Sequence, residues 1–100
     1  ALAQRPRDAS PRSVDLPGMT QTEAHRALTA FVDRQWFAGK RCVMVVTGKG
    51  SGQEGGGVLR RMVPRWLNEG STRTKVLAFD YARQRDGGAG ALYVLLKRKR

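Results

Sequence analysis

At 100 residues the chain has room for one domain with a modest core, and its 40% hydrophobic content suits a globular fold with polar tails. Nineteen Lys and Arg against eight Asp and Glu give a formal net charge of +11, which draws polyanions, meaning nucleic acid or an anionic membrane surface. One cysteine and one histidine exclude an intramolecular disulfide and a Cys/His zinc site, and neither a bilayer-spanning stretch nor a secretory signal pattern is read.

Residues 1–13 hold Pro6, Pro11, Arg5, Arg7 and Arg12 with little apolar content, the composition of a flexible basic arm. The chain starts at Ala1 rather than Met, as a processed or excised piece of a longer protein would. The ordered domain is expected over residues 14–96, with a basic tail at 97–100. Val14-Asp15-Leu16 reads as a short strand ended by Pro17-Gly18. Thr20 and Glu23 have capping-box spacing and predict a helix from Gln21 to about Ala38, stopped by Gly39. Ala24, Leu28, Phe31, Val32 and Gln35 share one face of it, and Trp36 or Phe37 closes the lower end of the core.

Arg41 to Thr47 is the strongest strand signal, and its unbroken apolar run predicts a central strand covered on both faces or nearly so. Cys42 in that run is expected to be a buried, inert thiol, which suits a reducing, cytoplasmic setting. A glycine-rich loop fills 48–57. A second helix follows to about Asn68, with Leu59, Met62, Val63 and Trp66 toward the sheet, Arg60, Arg61 and Arg65 outward, and a kink at Pro64. Val76 to Ala82 is a third strand with Val76, Ala78 and Asp80 on one face. Arg85-Asp86-Gly87-Gly88 is a turn, and Ala91 to Leu96 a fourth strand.

The order β-α-β-α-β-β gives an α/β fold of two layers. Right-handed crossovers make the first three strands parallel, and the short last turn makes the fourth antiparallel, with both helices on one face. The carboxyl ends of the parallel strands share an edge, where ligands of open α/β sheets bind. Three segments gather there: residues 15–18, 47–57 and 82–90. Gly48, Gly50 and Gly52 permit a nest of inward N–H groups, to which Ser51, the Lys49 charge and the next helix N-terminus add. That combination suits a phosphate; a plain surface loop is the alternative.

Sharper motifs do not carry over. Gly50 to Gly55 matches G-x-G-x-x-G, but a dinucleotide fold needs more strands than this chain supplies. The P-loop pattern fails because Gly50, not Ser or Thr, follows Lys49. His25, the lone histidine, falls on the first helix and reads as solvated, and Ser51 has no histidine partner. Asp86 reads as a turn former. Asp15 serves equally well as a functional carboxylate or as an acceptor for a neighbouring loop.

Five segments together resemble the Smr (small MutS-related) domain. They are Val14-Asp15-Leu16-Pro17-Gly18, Val46-Thr47-Gly48-Lys49-Gly50-Ser51-Gly52, Gly57-Val58-Leu59-Arg60-Arg61, Val63-Pro64-Arg65-Trp66-Leu67, and the run from Arg85 to Val94. The resemblance covers Val14 to about Arg98. It implies a fold similar to the C-terminal domain of a translation initiation factor, and DNA or RNA binding. Several members nick or cut nucleic acid, and the family's motifs are L-D-x-H and H-G-x-G or T-G-x-G. Here Asp15 matches the motif aspartate, Pro17 stands where the histidine is expected, and Thr47 opens the T-G-x-G version.

The centre implied for a DNA/RNA endonuclease is Asp15, Thr47 and Lys49, with Asp15 a base or holder of hydrated Mg²⁺. Phosphate contacts are expected from Gly48, Lys49, Gly50, Ser51, Gly52, Arg60, Arg61, Arg65 and Arg85, with the arm and tail contributing. Without a histidine, whose contribution to proton transfer is typically about 10²–10⁴ in rate, cleavage is weakened. The alternative is a non-catalytic module docking on a ribosome, a repair complex, a parent protein or another protein, and membrane binding is not expected.

Overall fold

The computed structural model describes residues 12–48, 56–82 and 90–98. Strand β1 (Arg12–Asp15) leads to helix α1 (Gln21–Phe37), strand β2 (Cys42–Val46) and helix α2 (Gly56–Leu67). The one-turn helix α3 (Gly70–Arg73), β3 (Val76–Tyr81) and β4 (Ala91–Leu96) complete the order. The α/β fold is therefore as expected, with α3 added. That turn escapes sequence periodicity because four residues hold no amphipathic repeat.

The sheet order is β1-β2-β4-β3. β1 and β2 pair in parallel, and β4 is antiparallel to both β2 and β3, so β1, β2 and β3 run the same way. β1 begins two residues inside the expected arm, since Arg12 and Ser13 pair with Val43 and Met44.

Local chemistry explains the helix ends. The Thr20 side chain accepts from the Glu23 amide at 3.1 Å and the Glu23 carboxylate accepts from the Thr20 amide at 2.9 Å, the reciprocal capping box. At the other end Gly39 takes φ +81°. Its amide reaches the Trp36 carbonyl, and the Lys40 amide reaches that of Gln35, both at 3.0 Å, a Schellman closure. α2 continues through Pro64 to Leu67.

Both layers bury one face. Val43 and Val45 of β2 and Leu92, Val94 and Leu96 of β4 are buried with Leu28, Phe31 and Val32 of α1 and Leu59, Val63, Trp66 and Leu67 of α2. Met62 and Trp36 pack at the margin, whereas Phe37 is 62% exposed. Two expectations are corrected here. β2 is central but covered on one side only: Cys42, Met44 and Val46 are half-buried on the open face, because every helix lies on the other. Cys42 is thus a half-buried thiol.

The second correction concerns β3. Its register slips between Val76 and Ala78, so Val76 opposes Leu96 and Ala78 opposes Leu95. A bulge of this kind adds one residue and reverses the alternation, putting Val76 and Ala78 on different faces. Phe79 takes the inward place against Val94, and Asp80 points out.

The end away from the loops is tied by Lys75. Its ammonium lies 3.2 Å from Asp33 Oδ1 and 5.4 Å from the centre of the Trp36 ring.

Candidate nucleic-acid interface

The segment after β1 is a tight turn. The Leu16 amide donates to the Val46 carbonyl at 2.9 Å, and the Met19 amide returns to the Leu16 carbonyl at 3.1 Å. Gly18 has φ +90° behind Pro17, the residue pattern of a type II turn. Proline at this place fixes the turn, where the family motif carries a histidine. A Cβ on Gly48 would stand 3.7 Å from Pro17 Cγ, so this turn abuts the start of the glycine loop.

The third segment joins at Gly90. Its carbonyl accepts the Thr47 amide at 2.8 Å, the Gly48 amide at 3.0 Å and the Thr47 hydroxyl at 3.3 Å. The Ala82 amide donates to the Ala91 carbonyl at 2.9 Å, which holds the end of β3 to the same edge. The described parts of all three segments thus meet at one rim. Gly48 turns the chain with φ +80°, and α2 returns from the rim at Gly56 with no acidic residue in its first turn. The positive end of its dipole favours an anion.

The predicted site residues divide. Asp15 is exposed at the end of β1, on the open face opposite Val46. Thr47 is at the rim but fully buried, and its hydroxyl donates to the carbonyls of Gly48, at 2.9 Å, and Gly90. Both bonds tie its side chain to the backbone of the rim. Lys49, Gly50, Ser51, Gly52 and Arg85 lie outside the described residues. Arg61 is exposed in the second turn of α2, within about 8 Å of its start at 1.5 Å per residue. Arg60 lies with its guanidinium carbon 5.3 Å from the Tyr81 ring centre. Arg65 is not brought to the rim: it stands in the last turn of α2 and pairs with Glu69 at 3.4 Å.

Sequence reasoning missed Tyr81, which is 43% exposed on the edge strand under Arg60. The bulge turns it to the helix side, opposite Leu92, where it meets Arg60, and alternation alone does not reveal that. His25 is exposed, as expected, but its ring stacks on Trp66 with centroids 4.8 Å apart.

A metal would need more donors than the described rim offers. Among the described residues no group of three His, Cys, Asp or Glu comes together. Asp80 is three strands from Asp15, about 14 Å at the usual strand spacing, and its Oδ1 accepts from the Tyr81 amide. Glu54 and Asp86, the other carboxylates of the rim segments, lie outside the described residues.

A mixed four-stranded sheet backed by helices on one face defines a small two-layer α/β domain, and comparison places it. A family model of the Smr domain matches residues 14–97, and the chain belongs to that family. Its fold is similar to YdaL, a stand-alone small MutS-related protein from Escherichia coli, with a TM-score of 0.78 and 30% identity over 93% of this chain and 71% of that one. It is also similar to the Smr domain of Thermus thermophilus MutS2, with a TM-score of 0.74 and 27% identity over 86% of this chain and 98% of that one. The ribosome rescue factor SmrB of Vibrio vulnificus is 39% identical over 83 residues, 83% of this chain and 43% of that protein. The chain therefore spans less than half the length of that relative. No helix among the described residues is long and apolar enough to cross a membrane.

Proposed function

We propose that this Smr domain binds nucleic acid by its phosphates at the loop rim, and that strand cleavage there is a slow, histidine-free activity. The observation that supports this most is the meeting of three segments at one rim, where the Gly90 carbonyl accepts from Thr47 and Gly48 and the Pro17 turn abuts Gly48. The charge of +11 supplies long-range attraction to a polyanion.

In this reading Lys49 and the glycine-loop amides take the phosphate, and Arg60 and Arg61 extend the contact along α2. Thr47 holds the rim in shape. Cleavage requires that an attacking hydroxyl lose its proton as its oxygen bonds to phosphorus, while the bond to the leaving ester oxygen breaks. Asp15 takes that proton, Lys49 offsets the charge developing on the phosphate oxygens, and water protonates the leaving oxygen. Because no histidine donates that last proton, the rate is set about 10²–10⁴-fold below a site with one.

The test is incubation of the purified protein with labelled single-stranded RNA and with supercoiled plasmid, with Mg²⁺ and with EDTA, beside Asp15→Ala. Cleavage lost in Asp15→Ala is the expected result. Gel shift without cleavage would reduce the reading to binding alone, and no shift at low salt would remove it.

A second reading, docking on a ribosome or another protein, draws support from the 39% identity to a ribosome rescue factor. A partner recovered from nuclease-treated lysate would favour it.

A further inference from the structure

The described cations are not spread evenly over the fold. β1, β2 and β3 start at the edge opposite the loop rim, and β4 ends there. That edge carries Arg12 at the start of β1, Lys40 and Arg41 before β2, Arg73 before β3, and Lys97 and Arg98 after β4, all exposed. The ends are bound together: the Leu96 amide donates to the Arg41 carbonyl, and the Lys97 amide to the Lys75 carbonyl, both at 2.8 Å. The two acids described near this edge already face cations, Asp33 with Lys75 and Glu69 with Arg65. The remaining described acids, Asp15, Glu23 and Asp80, lie toward the loop rim, at the end of β1, the first turn of α1 and the end of β3.

From this polarity we infer a second nucleic-acid contact surface, formed by Arg12, Lys40, Arg41, Arg73, Lys97 and Arg98, which holds a double-helical phosphate backbone independently of the loop rim. The separation is six residue steps along β2, about 20 Å, which sets Lys97 and Arg98 apart from the loop rim. The row crosses four strand ends, about 14 Å, which matches roughly four phosphates of one strand along a duplex axis. Charge complementarity selects the occupant. An anionic membrane fits less well, because exposed Phe37 and Leu95 near this edge stand on opposite layers and form no single insertable face. Contacts of this kind read no base sequence.

The test uses Lys40→Gln/Arg73→Gln/Lys97→Gln/Arg98→Gln, which spares Arg41, whose Nε donates to the Leu96 carbonyl at 3.3 Å. Binding of a fluorescent DNA duplex of roughly 20 base pairs is titrated at several salt concentrations, beside Lys49→Gln. Four lost phosphate contacts predict an affinity drop of at least about ten-fold and a slope of log K against log salt smaller by about 3.6. Duplex affinity and slope equal to wild type would overturn the inference. So would selective loss of binding to phosphatidylserine vesicles with duplex binding intact. If the quadruple variant melts early, Lys40→Gln/Lys97→Gln and Arg73→Gln/Arg98→Gln carry the same comparison at half the slope change. Loss with Lys49→Gln but not with the quadruple variant would leave the loop-rim reading standing and remove this one. The reverse pattern would remove the loop rim and keep this surface.

Discussion

The amide and the hydroxyl of Thr47 both end on one atom, the carbonyl oxygen of Gly90, at 2.8 and 3.3 Å. Thr47 thus rivets the end of β2 to the start of β4. Thr47→Val keeps the shape and removes only the hydroxyl, while two amides still satisfy Gly90. The expected loss is about 1 kcal/mol, or roughly 4–8 °C in Tm for a domain of this size. Calorimetry checks the stability. Nucleic-acid affinity measured well below the lowered Tm should fall less than for Lys49→Gln.

The one-sided burial of the sheet predicts a contrast between neighbours on β4. Leu96 is fully buried and Leu95 is 43% exposed. Leu96→Ala should cost about 2–5 kcal/mol and Leu95→Ala under about 1 kcal/mol in denaturant unfolding. Similar losses at both positions would mean that the open face is covered.

Removing Asp33 tests the tie opposite the rim. Lys75 keeps only 14% of its side chain exposed, so Asp33→Ala leaves an ammonium short of its counter-charge. With Asp33 itself 47% exposed, the expected cost is about 1–2 kcal/mol, below the roughly 3–5 of a fully buried pair. Lys75→Met, which keeps the stem against Trp36, should restore part of the stability of Asp33→Ala when the two are combined.

The capping box of α1 predicts a loss of about 1 kcal/mol for Thr20→Ala, because the Glu23 amide loses its acceptor. Helix signal by circular dichroism should stay near wild type at low temperature, with the change confined to the melting midpoint.

Much of the fold was legible because its signals are local. Thr20 and Glu23 mark the start of α1, Gly39 marks its end, and the apolar spacing of Leu59, Val63 and Trp66 gives the buried face of α2. The strand order, the bulge at Leu77-Ala78 and the one-sided cover of β2 were not legible. Each depends on which strands become neighbours, and β4 inserts between β2 and β3 by contacts far apart in sequence. At the site, the meeting of Leu16 to Gly18 with Thr47 and Gly48 followed from parallel topology. The separation of Arg65 from that rim did not, since grouping Arg60, Arg61 and Arg65 by sequence ignores the length of α2. Likewise the sequence alone does not place Lys97 and Arg98, which the direction of β4 carries to the edge opposite the loops.

The central claim is that the loop rim holds phosphate, and the most direct measurement is anisotropy of labelled single-stranded RNA across a salt series, for wild type and Lys49→Gln. The account predicts affinity that falls linearly on a log–log plot, and a slope for Lys49→Gln smaller by about 0.7, one single-strand phosphate contact. Identical affinity and slope for the two proteins would contradict a phosphate site at this rim.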